Sequence, residues 1–457
     1  MAICFATRKS NLDTDLVLDS QFYDPKKLEY LNKLGEQSRQ KISDEFLEII
    51  DLTSSQEKTR FPAFVYNLTN SLGNLFTGGE LANSADDIGS TKKIAQPDDF
   101  AVSRLRYYLK EFGVIPKKEY PPLLSTEYVV LRQKGKISPH LLIPYLLSSE
   151  IQFIFEHSQR GSEHPRLANK DILNLPLPNS LTKKAKEISD IVVSAIRDFE
   201  QSNNLYPEAE QELLERMEWH KVATNQQLSY VATSNDIRTD ERLDPEFYQP
   251  KFENLEKHLK TIGSMTIDQV CGFVNHGIQP PYFDGGTISV ITQKEMTPIF
   301  LELESVKDYT DIGFYEENPD FQLKQRDVLL YSVGAYIGRC NILLDEIKAM
   351  AGSFVTILRT NENFVIPEYL ALFLNSPAGI IQSRQQMRGT AQHYLYPRDI
   401  RKIQVFVPRD KKGKPDLVWQ KKLADKVISA NKAKTDAKKK LEEAKNLVEK
   451  EIEKLIN

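Results

Sequence analysis

The sequence predicts an α+β protein: two duplicated α/β domains separated by two long antiparallel helices, a coiled-coil spacer with pseudo-twofold organisation. Three observations predict it. One short stretch is written twice, the copies stay in register beyond that stretch, and a thin helical seam follows each copy. The expected boundaries are a first domain at 1–180, a first helical region at 181–235, a second domain at 236–412 and a second helix at 413–457.

The duplicated stretch comes first. "VLDSQFYDPKKLEYLNKL" (17–34) lies over "RLDPEFYQPKFENLEKHL" (242–259). Leu18, Asp19, Phe22, Tyr23, Pro25, Lys26 and Leu34 recur as Leu243, Asp244, Phe247, Tyr248, Pro250, Lys251 and Leu259. Later segments follow. "DDFAVSRLRYYL" (98–109) falls on "RDVLLYSVGAYI" (326–337), and "STEYVVLRQ" (125–133) on "GSFVTILRT" (352–360). "LIPYLLSSEI" (142–151) falls on "YLALFLNSPA" (369–378), and "RGSEHPRLANKDI" (160–172) on "RGTAQHYLYPRDI" (388–400). The offset drifts from 225 to 228, as it does when loops vary and elements do not. Such a period is far longer than a solenoid repeat, so each copy should fold around its own core. Residues 51–97 find no clear partner in the second copy.

A helix should follow each copy. In 181–221, Ile188, Val192, Ala195 and Phe199 form a seam with steps of 4, 3 and 4. An interruption is expected near Asn203–Asn204, with Pro207 kinking the helix or opening a second one. Ala209, Leu213 and Met217 then continue the stripe. In 421–457 the seam is Leu423, Val427, Ala430, Ala437, Leu441, Ala444, Val448, Ile452 and Leu455, with Lys and Glu on the other faces. "YPEAEQELLERM" (206–217) resembles "LEEAKNLVEKEI" (441–452) at an offset of 235. A thin seam on a charged helix is poorly stable alone. The expected partner is the other long helix, packed antiparallel, with the globular copies held apart at its ends.

Composition sets bounds on function. Of 457 residues, 40% are apolar and 27% charged, as in soluble globular proteins. No window approaches the run of about 18 apolar residues that a membrane helix needs, and the N-terminus lacks the order of a secretory signal. Three scattered cysteines (Cys4, Cys271, Cys340) without a CxxC point to a reduced, cytoplasmic protein with no zinc knuckle. Phosphate-loop, dinucleotide, zinc-protease and serine-hydrolase motifs are absent, and the seven histidines form no ligand pair. Cys340, in "GRCNILL", reads as a buried strand residue.

The net charge of −4 gives no global basic face, but charge is concentrated locally. Residues 102–136 carry eight Lys or Arg against three acids, and 384–402 carry five against one. Within and beside these stretches the side chains suit phosphates and base edges. Arg pairs bidentately with guanine, Gln with adenine, and Ser or Thr with either. The candidate binding residues are Arg104, Arg106, Arg160 and Arg166 in the first copy. In the second they are Gln279, Tyr282, Arg388, Thr390, Gln392 and His393. Arg104 and Arg106 are expected on one side of an alternating stretch.

These segments resemble, in order and over essentially the whole chain, the specificity (S) subunits of type I restriction–modification systems. "LDPEFYQPKFENL" looks like the entry of their target recognition domains. "DFAVSRLRYYLKEFGVIP" (99–116) and "QRDVLLYSVGAYIGRCNIL" (325–343) look like the internal stretch of each. "PRDIRKIQVFVP" (397–408) looks like the closing strand, and "LYPEAEQELLERM" like the conserved spacer helix. The resemblance implies a non-catalytic scaffold in which each recognition domain reads one half of a split double-stranded DNA target and the helices set the gap. It implies two methyltransferase (M) subunits and motor–nuclease (R) subunits as partners. S-adenosylmethionine, ATP and Mg would reside on those partners, with no cofactor or metal in this chain and no membrane association. The alternative is a specificity component of a type IIB/IIG-like enzyme with a fused nuclease–methyltransferase partner.

Overall fold

The computed structural model describes residues 21–53, 60–161, 163–231, 233 and 242–456. Cys4, and Leu18 and Asp19 of the duplicated stretch, lie outside them. The chain divides into two compact units. Unit 1 is Met1–Phe199 with Thr435–Asn457, and unit 2 is Glu200–Lys434.

Unit 1 contains β1 (Ser38–Lys41), β2 (Phe46–Ile49), β3 (Ala63–Tyr66), β4 (Glu80–Ala82), β5 (Lys92–Ile94), β6 (Phe100–Ser103), β7 (Phe112–Val114), β8 (Pro122–Ser125), β9 (Tyr128–Gln133) and β10 (Pro176–Pro178). They form a sheet in the order β2-β9-β6-β7, a second in the order β4-β3-β8-β5, and a β1-β10 ribbon. Unit 2 contains β11 (Ser264–Thr266), β12 (Cys271–His276), β13 (Ile288–Ile291), β14 (Tyr309–Thr310), β15 (Val328–Tyr331), β16 (Cys340–Ile342), β17 (Ala349–Ala351), β18 (Val355–Thr360) and β19 (Gln404–Phe406). Their orders are β12-β18-β15-β16, β14-β13-β17 and β11-β19. The two topologies match strand for strand, except that β5 has no counterpart in unit 2 among the described residues.

The central strands read as continuous apolar runs because both faces are covered. Residues 128–131 of β9 and 355–358 of β18 are all buried. The stretch 51–97 does have partners, contrary to its sequence. β3 pairs parallel with β8 and antiparallel with β4, as β13 does with β17 and β14. Strand pairing asks only for apolar pleated surface, so "AFVY" and "ISVI" fill one role while sharing a single valine, Val65 and Val290.

Two helices follow the central hairpin in each unit, Leu142–Leu147 and Ser149–Glu156 in one, Pro367–Asn375 and Pro377–Gln386 in the other. Ser148 and Ser376 separate them, each Oγ donating three residues back, to Tyr145 at 2.7 Å and Phe373 at 2.6 Å. The structural offset here is 228, one more than the sequence pairing assumed.

The first long helix runs unbroken over Ala185–Arg216, with Pro207 inside it, and the second over Leu417–Ile456. The expected interruption does not occur. Pro207 removes one backbone donor, a loss of about 3 kcal/mol in an isolated helix. Burial of Tyr206, Ala209, Leu213 and Met217 in the unit 2 core offsets it. In unit 2 these residues pack with Leu423, Val427 and Ala430. In unit 1, Ile188 and Val192 pack with Ala444, Val448 and Ile452. The offset of 235 therefore relates one core seam to the other. Within each unit the helices run antiparallel. Lys422 and Lys426 pair with Glu212 and Glu208 in unit 2, while Lys440 reaches Asp198 and Lys184 reaches Glu451 in unit 1. No helix among the described residues is long and apolar enough to cross a membrane.

Candidate nucleic-acid interface

Each unit gathers three loops at one place, and the backbone bonds that join them are the same in both. The first is the hairpin tip after β6 in unit 1 and after β15 in unit 2. The second is the turn before β9 or β18. The third is the loop that opens at Arg160 or Arg388. In unit 1, the Arg104 N–H donates to the Glu127 carbonyl at 3.0 Å, Leu167 N–H to Arg104 at 2.9 Å and Arg106 N–H to Pro165 at 3.0 Å. In unit 2, Ser332 N–H donates to Phe354 at 3.1 Å, Leu395 N–H to Ser332 at 2.8 Å and Gly334 N–H to His393 at 3.2 Å. The third loop is closed on itself by paired backbone bonds, Arg160 with Arg166 and Arg388 with Tyr394.

The base of that loop is an ion pair. Arg388 donates to Asp399 from Nε at 2.7 Å and from a terminal nitrogen at 3.0 Å, and Asp399 is fully buried. Arg160 holds Asp171 in the same two-armed way, its second arm at 3.3 Å. Burial pushes the Asp399 carboxyl up, but the Arg388 bonds and charge, with Lys402 and Arg398, bring it below the usual carboxylate range. Arg160 also lies over the Phe22 ring at 5.0 Å, and in unit 2 Arg242 lies over Phe247 at 4.4 Å. A second shared pair braces the sheet. Arg132 bonds Asp99, and Arg359 bonds Asp327, each at 2.8 Å from Nε.

On this common frame the outward side chains differ. In unit 1, Glu127 accepts from Arg104 at 3.3 Å and from Arg166 at 3.0 Å. The Arg166 bonds lead in holding its carboxyl below the ordinary range, against an opposing effect of burial. The same three positions in unit 2 are Phe354, Ser332 and Tyr394. Phe354 is 47% exposed, and Tyr394 stacks on Tyr396 at 6.0 Å. An Arg–Glu–Arg cluster thus stands where the other copy has an apolar and aromatic surface.

The structure brings Arg104, Arg106, Arg160 and Arg166 together in unit 1. Arg104 also donates to Asn169 Oδ1 at 3.3 Å, while Arg106 is exposed. The alternating stretch expected there ends at Ser103, and the chain turns at Arg106. In unit 2, Arg388, Thr390, Gln392 and His393 share one loop. Thr390, Gln392 and His393 are exposed, Gln392 accepts from the Tyr394 hydroxyl at 2.9 Å, and the His393 ring meets the Gly389 carbonyl at 2.9 Å. Gln279 and Tyr282 lie on a different loop, between β12 and β13. It touches the frame where Ser353 Oγ donates to Gln279 at 3.3 Å, next to Phe354. Tyr107–Tyr108 follow the candidate arginines in sequence, but exposed Tyr336 at the other hairpin tip, and Phe354, are not among the expected residues. The signal for Tyr336 is the register, since it recurs 228 positions after Tyr108.

Cys340 lies in β16, fully buried, and burial pushes the Cys271 thiol up to about 12. No cluster of His, Cys, Asp or Glu suited to a metal occurs among the described residues.

The chain matches no protein-family model, and no curated protein matches it. Solved structures do match along nearly its whole length. One, from work on assembly and conformational transition of the type I R-M system, is 15% identical with a TM-score of 0.30, covering 93% of this chain and 96% of that one. The HsdS subunit of Thermoanaerobacter tengcongensis is 15% identical with a TM-score of 0.28, covering 93% and 95%. The type I restriction–modification S subunit of M. genitalium is 12% identical with a TM-score of 0.47, covering 91% and 95%.

Proposed function

We propose that this chain is the DNA-recognition subunit of a type I restriction–modification complex, each unit reading one half of a bipartite duplex target. One observation carries the reading: the same three-loop frame occurs twice with different side chains on it. A frame fixed by Arg–Asp pairs beneath the loops can hold them in place while their tips change. Phosphate contacts would position each unit, and side chains such as Gln392 and Thr390, or the Arg104–Glu127–Arg166 cluster, would read base edges. The long helices would set the distance between half-sites and dock two methyltransferase subunits. S-adenosylmethionine, ATP and Mg would sit on those and on the motor–nuclease subunits, in the cytoplasm. The chain itself would perform no chemistry.

The test is the methylation pattern of host DNA with and without this gene. Loss of one split motif on deletion is the expected result, and an unchanged pattern would overturn the reading. Turnover by the purified chain alone, given S-adenosylmethionine, Mg and DNA, would overturn its non-catalytic part.

A further inference from the structure

The hairpin tip of unit 1 runs Arg106-Tyr107-Tyr108-Leu109-Lys110. Arg106 has φ +50° and Lys110 φ +53°, both left-handed. The matching positions in unit 2 are Gly334, at φ +108°, and Gly338, at φ +88°. Left-handed backbone is strained for a side chain with a Cβ and free of that strain for glycine. Unit 2 uses glycine at both places, and unit 1 carries a long cation at both.

Arg106 lends its charge to the buried Glu111 carboxyl, whose pKa burial still raises, but the closure of the tip depends on neither cation. The tip is closed by backbone, Leu109 N–H to Arg106 at 2.8 Å and Lys110 N–H to Tyr107 at 2.9 Å. Asn74 secures it from behind, donating to the Lys110 carbonyl at 2.8 Å. Arg106 and Lys110 are exposed, and neither side chain makes a hydrogen bond or ion pair among the described residues. Their neighbours Arg104 and Arg166 are already engaged by Glu127. Between them Tyr108 is 54% exposed, braced edge-on by Tyr107 at 5.8 Å. Strained backbone bearing two exposed cations, neither of them hydrogen-bonded, points to a ligand contact at the tip.

We propose that Arg106 and Lys110 grip DNA phosphates on either side of Tyr108, a contact that the glycine tip of unit 2 lacks. The two units then hold the duplex unequally: unit 1 carries two exposed cations at its hairpin tip, where unit 2 has glycines and an exposed Tyr336 with Arg339 over its ring at 4.1 Å. This rests on the DNA reading above.

The test uses the full chain and a random-sequence duplex, with two double variants. Arg106→Gly with Lys110→Gly relieves the backbone, and Arg106→Asn with Lys110→Asn keeps a side chain that tolerates this conformation. Both should unfold at a denaturant concentration no lower than the parent. Both should also flatten the plot of log affinity against log salt by roughly 2 units, about 0.9 for each phosphate left without its cation. Unchanged slopes in variants of a parent that binds duplex would overturn this proposal and leave the DNA reading standing. Lower stability of the glycine variant would mark the cations as structural and also overturn it. A parent that holds no duplex at low salt would sink the DNA reading and this one together.

Discussion

Asp399 receives both arms of Arg388 at 2.7 and 3.0 Å beneath the loop that carries Thr390, Gln392 and His393. The carboxylate is wholly buried while the guanidinium keeps a quarter of its surface. The pair therefore fixes the loop's two ends from inside and leaves its tip free to vary. Asp171 and Arg160 do the same in unit 1.

Replacing Asp399 with Asn leaves Arg388 without its charge partner. We expect a loss of about 1–3 kcal/mol from unit 2 at neutral pH. Both tryptophans, Trp219 and Trp419, lie in unit 2 and pack on its core, so their fluorescence during urea unfolding reads this unit. The sign with pH follows from the depressed Asp399 carboxyl. Its stabilisation is full above the ordinary carboxylate range and is lost as pH falls through the lower folded value. The variant should lack that part of the acid dependence.

His276 behaves oppositely in protonation. Burial lowers its pKa, and its ring Nδ1 meets Thr356 Oγ1 at 2.8 Å. Below about pH 6.5 the unfolded chain takes a proton that the folded chain refuses. Unit 2 should lose stability from there down to the folded value, and His276→Gln should remove that component from the tryptophan-monitored midpoint.

Glu127 holds two guanidiniums at once. Glu127→Gln should release positive charge at the unit 1 frame. The expected result is tighter binding of random duplex at low salt, with a salt dependence steeper by about 1 unit.

Leu213 is fully buried where the first long helix enters the unit 2 core. Leu213→Ala should cost about 2–5 kcal/mol, seen as an earlier tryptophan transition.

The parts legible in the sequence were those fixed by residue identity. Phe22–Tyr23 and Phe247–Tyr248 pack edge-on in both units, at 5.2 and 5.1 Å, and the Arg-Gly and Asp-Ile repeats mark the ends of the shared loops. What escaped was set by backbone and by tertiary burial. β3 and β13 share a pairing pattern and only one residue, Val65 with Val290. Pro207 reads as a break until its neighbours are seen in a core. Lys110 gives no sign in sequence of its left-handed backbone, because only its glycine counterpart betrays the turn.

Ala444, Val448 and Ile452 complete the same core as Leu34, Phe46 and Phe100, though all of unit 2 lies between them in the chain. A ribosome therefore delivers everything unit 2 needs by Lys434, while unit 1, begun first, still waits for its last helical turns. The unit that starts to appear earlier of the two is thus the later to be complete. A nascent chain halted between Lys434 and Ala444 would hold all of unit 2 and an unfinished unit 1.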